Sequence, residues 1–154
     1  MNPATDFAAD DYRMADLLPH TGAMVLLERV VSFDADRLSA ALTVRGDGLL
    51  FGDEREIPAW VAIEYMAQAI GAFAGLQAKL AGQPIRLGFL LGSRLFESNV
   101  ATLPVGCSLT VAIEKIVHDE QLGVFDCRVS GDNIEIGAKL NVYQPRFDQP
   151  LTDE

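Results

Sequence analysis

The sequence predicts an α+β fold in which one long apolar helix is wrapped by a strongly curved antiparallel sheet. Three observations predict it. Pro58 to Lys79 reads as a helix that is apolar on nearly every side, and such a helix must be covered on most of its faces. The second half of the chain is a succession of alternating apolar and polar segments separated by turn residues, the pattern of antiparallel strands. The order of these segments contains no strand–helix–strand unit of a parallel sheet.

Each element follows from local chemistry. Residues 1–10 are a polar lead-in, and Asp11 to Leu18 suits a short helix ended by Pro19. Met24 to Phe33 reads as a strand, Asp34-Ala-Asp36 as a turn, and Leu38 to Val44 as the antiparallel partner. Gly46-Asp-Gly48 is a loop and 49–57 a connection. Pro58 falls where a helix accepts proline, in its first turn. Gly82 and Pro84 close the helix. Four strands follow, over 86–97, 107–118, 122–130 and 134–143, with turn signals at Leu103-Pro-Val-Gly106, His118 to Gly123, and Gly131-Asp-Asn133. In the last strand Ile134, Ile136, Ala138, Leu140 and Val142 share one face. A sheet curled around a central helix, with a second chain covering what remains exposed, is the hot-dog arrangement.

At 154 residues, 49% hydrophobic and 22% charged, the sequence is expected to form one domain with an ample core, with 1–10 and 146–154 as loose tails. The net charge of −10 argues against nucleic acid and anionic membrane. Cys107 and Cys127 lack metal-type or CxxC spacing and read as reduced thiols of a cytoplasmic protein, with no metal site. The N-terminus has no signal-peptide pattern. The central helix is long enough to cross a bilayer, but Glu64 and Gln68 lie inside it and basic flanks are missing. A core helix is therefore expected. Those two polar residues stand at i and i+4, on one face. A carboxylate set into so apolar a helix is costly unless it is paired, hydrated or used.

Three stretches carry a family resemblance. Leu17-Leu-Pro-His-Thr-Gly-Ala-Met-Val-Leu-Leu-Glu-Arg-Val, Pro58-Ala-Trp-Val-Ala-Ile-Glu-Tyr-Met-Ala-Gln and Pro104-Val-Gly106 occur in this order over most of the chain. They resemble the opening, the helix and a late strand entry of the hot-dog 3-hydroxyacyl-acyl carrier protein dehydratases. The helix resembles most the ApeP-like branch, tied to aryl polyene synthesis. The resemblance implies an acyl pocket at a dimer interface, a homodimer or a heterodimer with another hot-dog subunit. It also implies an acyl carrier protein as partner, a substrate carried on its phosphopantetheine, and no separate cofactor. One motif departs: where those enzymes carry a catalytic histidine before the helix, this chain has Leu49-Leu-Phe-Gly-Asp-Glu-Arg-Glu-Ile57, with none.

Removing water from a 3-hydroxyacyl thioester needs a base for the α-proton, an acid for the departing hydroxide, and donors for the thioester oxygen. Glu64 is the candidate for one proton transfer, and Gln68 for orienting Glu64 or the thioester. Backbone N–H groups at Ala59, Trp60 and Val61, the start of the helix, suit the oxyanion. His20 and His118 are the only histidines. His118 falls in an acidic turn, so His20 is the catalytic candidate, facing Glu64 of its own or a partner subunit. Asp53, Glu54 or Glu56 could instead supply a second carboxylate, since two held close divide into an acid and a base. Arg86 and Arg94 could pair Glu64 or meet a carrier's phosphate. Tyr65, Met66, Phe73, Phe89, Leu91 and Phe96 read as core, some of them lining an acyl tunnel, with Phe89 chosen as a substrate contact. Two other readings remain open: an acyl thioesterase using the same groups, and a non-catalytic partner subunit that binds an acyl carrier.

Overall fold

The computed structural model describes residues 13–18, 25–46, 55–84, 88–118 and 122–143. His20, Asp53, Glu54, Arg86 and the two expected tails lie outside the described residues. A six-stranded antiparallel sheet has the order β1-β2-β6-β7-β8-β4. Its strands are β1 (Arg29–Phe33), β2 (Arg37–Thr43), β4 (Phe89–Ser98), β6 (Ser108–His118), β7 (Leu122–Gly131) and β8 (Ile134–Tyr143). The helix α1 (Ala62–Leu80) packs across β2, β6, β7 and β8. A short ribbon pairs β3 (Glu56–Pro58) with β5 (Thr102–Pro104). This is the hot-dog architecture.

The core lies between α1 and the concave face of the sheet. Alternation along β8 puts Ile134, Ile136, Ala138 and Leu140 against the helix, as the period of two requires. Phe73 stands in the middle, its ring 5.8 Å from that of Phe33 and 5.9 Å from that of Phe125. By length and composition, residues 59–80 would also cross a membrane, but most of that run is buried by the chain's own sheet.

Several boundaries differ from the sequence reading. Residues 59–61 form a 3-10 turn and α1 begins at Ala62, so Pro58 caps that turn and ends β3 instead of lying within the helix. Asp11 to Leu18 contains a 3-10 turn at Met14–Asp16 where a short helix was expected. This turn lies close against α1. A Cβ on Gly75 would sit 2.2 Å from the carbonyl oxygen of Leu17, and one on Gly71 would sit 2.9 Å from Leu18. The far end of α1 closes with Gly82 at φ +69°, its N–H donating to Lys79 O while Gln83 N–H donates to Ala78 O. This is the left-handed cap that glycine allows.

The first strand begins at Arg29, later than expected, because the backbone of Val25 and Leu26 bonds to side chains instead of a neighbouring strand. At the other edge, β4 was expected to bury Leu91 and Phe96. They are 59% and 36% exposed, with Leu90 and Leu95 exposed beside them. The reason is position: among the described residues β4 pairs with β8 alone, at the rim of the sheet. Its ladder is broken by a bulge between Arg94 and Glu97, where Leu95 takes φ +57°.

Candidate active site

The first turns of α1 hold its two inward polar groups, Glu64 and Gln68. Glu64 is its third residue and half-buried; Gln68, one turn on, is 1% exposed and is the only fully buried amide or charged side chain among the described residues. Gln68 Nε2 donates to Glu64 Oε2 at 3.1 Å. Its other end, Oε1, accepts the N–H of Leu26 at 2.9 Å. A backbone N–H can only donate, so it fixes which end of the amide faces it, and the NH2 group must then point at Glu64. The buried amide is thereby satisfied, as burial demands. A carboxylate in the first helical turn also lies at the positive end of the helix dipole. The i, i+4 spacing read from the sequence thus becomes a direct contact.

The 3-10 turn before the helix gives a mixed result for the expected oxyanion donors. Ala59 N–H donates to Ala101 O at 2.9 Å, so this amide is already engaged. Ala59 and Val61 are buried, and the Trp60 indole is 57% exposed.

Beside this turn, Tyr65 is buried at 2% exposure. Burial pushes its hydroxyl up to about 12, the nearby Cys107 thiol adds to the rise, and Arg45 opposes it. Burial also pushes the Cys107 thiol up. Arg45 is half-buried and donates from Nη1 to Val25 O at 3.1 Å. No signal in the sequence singled out Arg45, whose contact is to a main-chain oxygen twenty residues away.

The remaining candidates scatter. Tyr65, Met66 and Phe73 are core. Glu56 is exposed, and its Oε1 accepts the Thr102 hydroxyl at 2.5 Å across the β3–β5 ribbon. Arg94 is exposed on β4, opposite Lys139. Phe89 pairs through its backbone with Tyr143, at the start of β4. Both cysteines are free. No group of three His, Cys, Asp or Glu side chains converges among the described residues.

The chain and its fold are similar to those of known proteins. The family model for ApeP-like chains, described as ApeP dehydratase, matches residues 12–152. No curated protein sequence matches the chain. Among solved structures, the chain is similar to the dehydratase heterocomplex ApeI:P from Xenorhabdus doucetiae. The match is 33% identical with a TM-score of 0.79 and covers 88% of this chain and 92% of that one. Two more distant structures share the fold. The E. coli PaaI protein of the phenylacetic acid degradation operon is 12% identical with a TM-score of 0.57, over 77% of this chain and 79% of that one. A hypothetical thioesterase with coenzyme A from Streptococcus pneumoniae is 12% identical with a TM-score of 0.56, over 75% and 84%.

Proposed function

The chain belongs to the ApeP-like dehydratase family, and from that premise we propose that it removes water from a 3-hydroxyacyl thioester carried on an acyl carrier protein, in fatty-acid-like or aryl polyene synthesis. The observation that carries the proposal is the Glu64 carboxylate, held by a buried amide in the first turn of the core helix. Glu64 and an imidazole divide the two proton transfers. One takes the α-proton, the electron pair forms the α,β double bond, and the other protonates the departing hydroxide. The products are an enoyl thioester and water. Amides at the start of the helix hold the thioester oxygen while it carries negative charge.

His20 is the imidazole we assign. Its segment supports this: Leu26, six residues later in the sequence, is bonded to Gln68. Six residues reach at most about 20 Å.

A second reading follows from the missing histidine before the helix and from β4. There the imidazole comes from another hot-dog subunit, seated on the exposed apolar edge strand. A strand that ends the sheet among the described residues, with exposed Leu90, Leu91, Leu95 and Phe96, fits pairing with a second strand. The similar ApeI:P structure is a heterocomplex. In this reading the chain serves as one half of an active dehydratase.

The test is turnover of a 3-hydroxyacyl-acyl carrier protein, read by mass spectrometry for loss of water. The pure protein, His20→Ala and Glu64→Gln are each assayed with and without a histidine-bearing hot-dog partner. Dehydration by the protein alone, lost in both variants, supports the His20/Glu64 pair. Dehydration only with the partner, lost in Glu64→Gln but kept in His20→Ala, supports the second reading. Activity that survives Glu64→Gln sinks both. Release of free acid in place of the enoyl thioester makes the chain a thioesterase.

A further inference from the structure

We propose that Arg45 is a positioning residue for Glu64, acting through two amide groups that lie in series between them; the proposal rests on Glu64 being the working carboxylate. Arg45 Nη1 donates to the carbonyl of Val25 at 3.1 Å. The N–H of that same peptide unit belongs to Leu26 and donates to Gln68 Oε1 at 2.9 Å. The far end of the Gln68 amide donates to Glu64 Oε2 at 3.1 Å. Every bond runs in one direction, from guanidinium to carboxylate.

This ordering has two consequences. The first is orientation. If the 25–26 peptide turned over, it would present a carbonyl to Gln68. The amide would then have to flip and show its own oxygen to Glu64, placing an acceptor against a carboxylate. Arg45 blocks this by holding the carbonyl on the opposite side. It is itself well anchored, because the preceding residue is fixed to the entrance of β6: Val44 N–H donates to Cys107 O, and Gly106 N–H donates to Val44 O. The second consequence is electrostatic. A cation on an amide carbonyl polarises the N–H at the other end and makes it a stronger donor. Hydrogen bonds linked in this way reinforce one another in a poorly solvated site. Both amides therefore point their positive ends at Glu64, with a full positive charge behind them.

The experiment joins NMR with kinetics on the full-length protein in whichever assembly turns over. In Arg45→Met the proton resonances of the Leu26 amide and the Gln68 side-chain NH2 both move upfield. Arg45→Lys restores them in part. The kcat of Arg45→Met falls about tenfold while KM stays within about twofold, as befits lost positioning and not lost binding. In a Gln68→Met background, the Arg45→Met change costs nothing further, because the link is already cut. A merely structural arginine would show the same loss in both backgrounds. Unmoved Gln68 resonances, or equal losses with and without Gln68, overturn the proposal. If Glu64→Gln retains activity, the catalytic reading fails, and the Gln68 resonances alone then support or overturn the relay.

Discussion

The two halves of α1 use similar residues and are fixed by different means. In the first half, Glu64 and Gln68 are held by directional bonds that reach out of the helix to the 25–26 peptide. In the second half, Gly71, Phe73 and Gly75 are held by shape, with Leu17 and Leu18 pressed against bare helix backbone and Phe73 between two other rings. The difference shows how one element serves two purposes. Shape complementarity gives the rigid support, and a few hydrogen bonds on that support fix one carboxylate. Damage to the second half should appear as lost stability, and damage to the first as lost activity.

The largest effect is expected at the centre of the shape-held half. Phe73→Ala removes a ring from a filled core and should cost about 3–5 kcal/mol, read as a lower urea midpoint with an unchanged slope. Below that ranks an effect of pH. Burial pushes the Cys127 thiol up to about 12 from 9.0, and the Tyr65 hydroxyl up to about 12 from 10.0. Both are protonated in folded and unfolded chains below the lower values. As pH rises from about 9 toward 12, only the unfolded chain releases these protons, so stability falls across that window. Urea midpoints at pH 8 and at pH 11 check this, and Cys127→Ala with Tyr65→Phe should flatten the dependence. Gly75→Ala comes next, at about 1–3 kcal/mol, because the new methyl meets main chain that cannot swing aside. Glu64→Gln should be the mildest in stability, within about 0.5 kcal/mol, since the new amide oxygen can still accept from Gln68. A Glu64→Gln variant that lost stability as Gly75→Ala does would erase the contrast between the halves.

What the sequence revealed tracks how repetitive each signal is. The ranges of β6, β7 and β8 were legible because alternation over ten residues is a strong pattern, and the i, i+4 pair was legible because helix geometry makes those positions neighbours. The β3–β5 ribbon was missed: it is three residues long on each side, and Pro58 and Pro104 stand in it, which reads as turn. Leu91 and Phe96 were misplaced in the core because apolar character predicts a demand for cover without saying that the strand is the last of its sheet. The shift of helix onset to Ala62 is a matter of 3-10 geometry that composition does not encode. Arg45 left no pattern, because its target is a main-chain oxygen across the fold. Gln68 could be found from spacing, but not the peptide that holds it.

The left-handed Leu95 also bears on how readily copies of the chain would stack. A long, straight, greasy sheet rim is a template on which further copies stack without limit, and this is the start of aggregation. The bulge between Arg94 and Glu97 interrupts that rim and twists what remains. Neither remaining stretch offers a long in-register row to a misfolded neighbour. The kink therefore acts against indiscriminate strand-on-strand polymerisation of the chain.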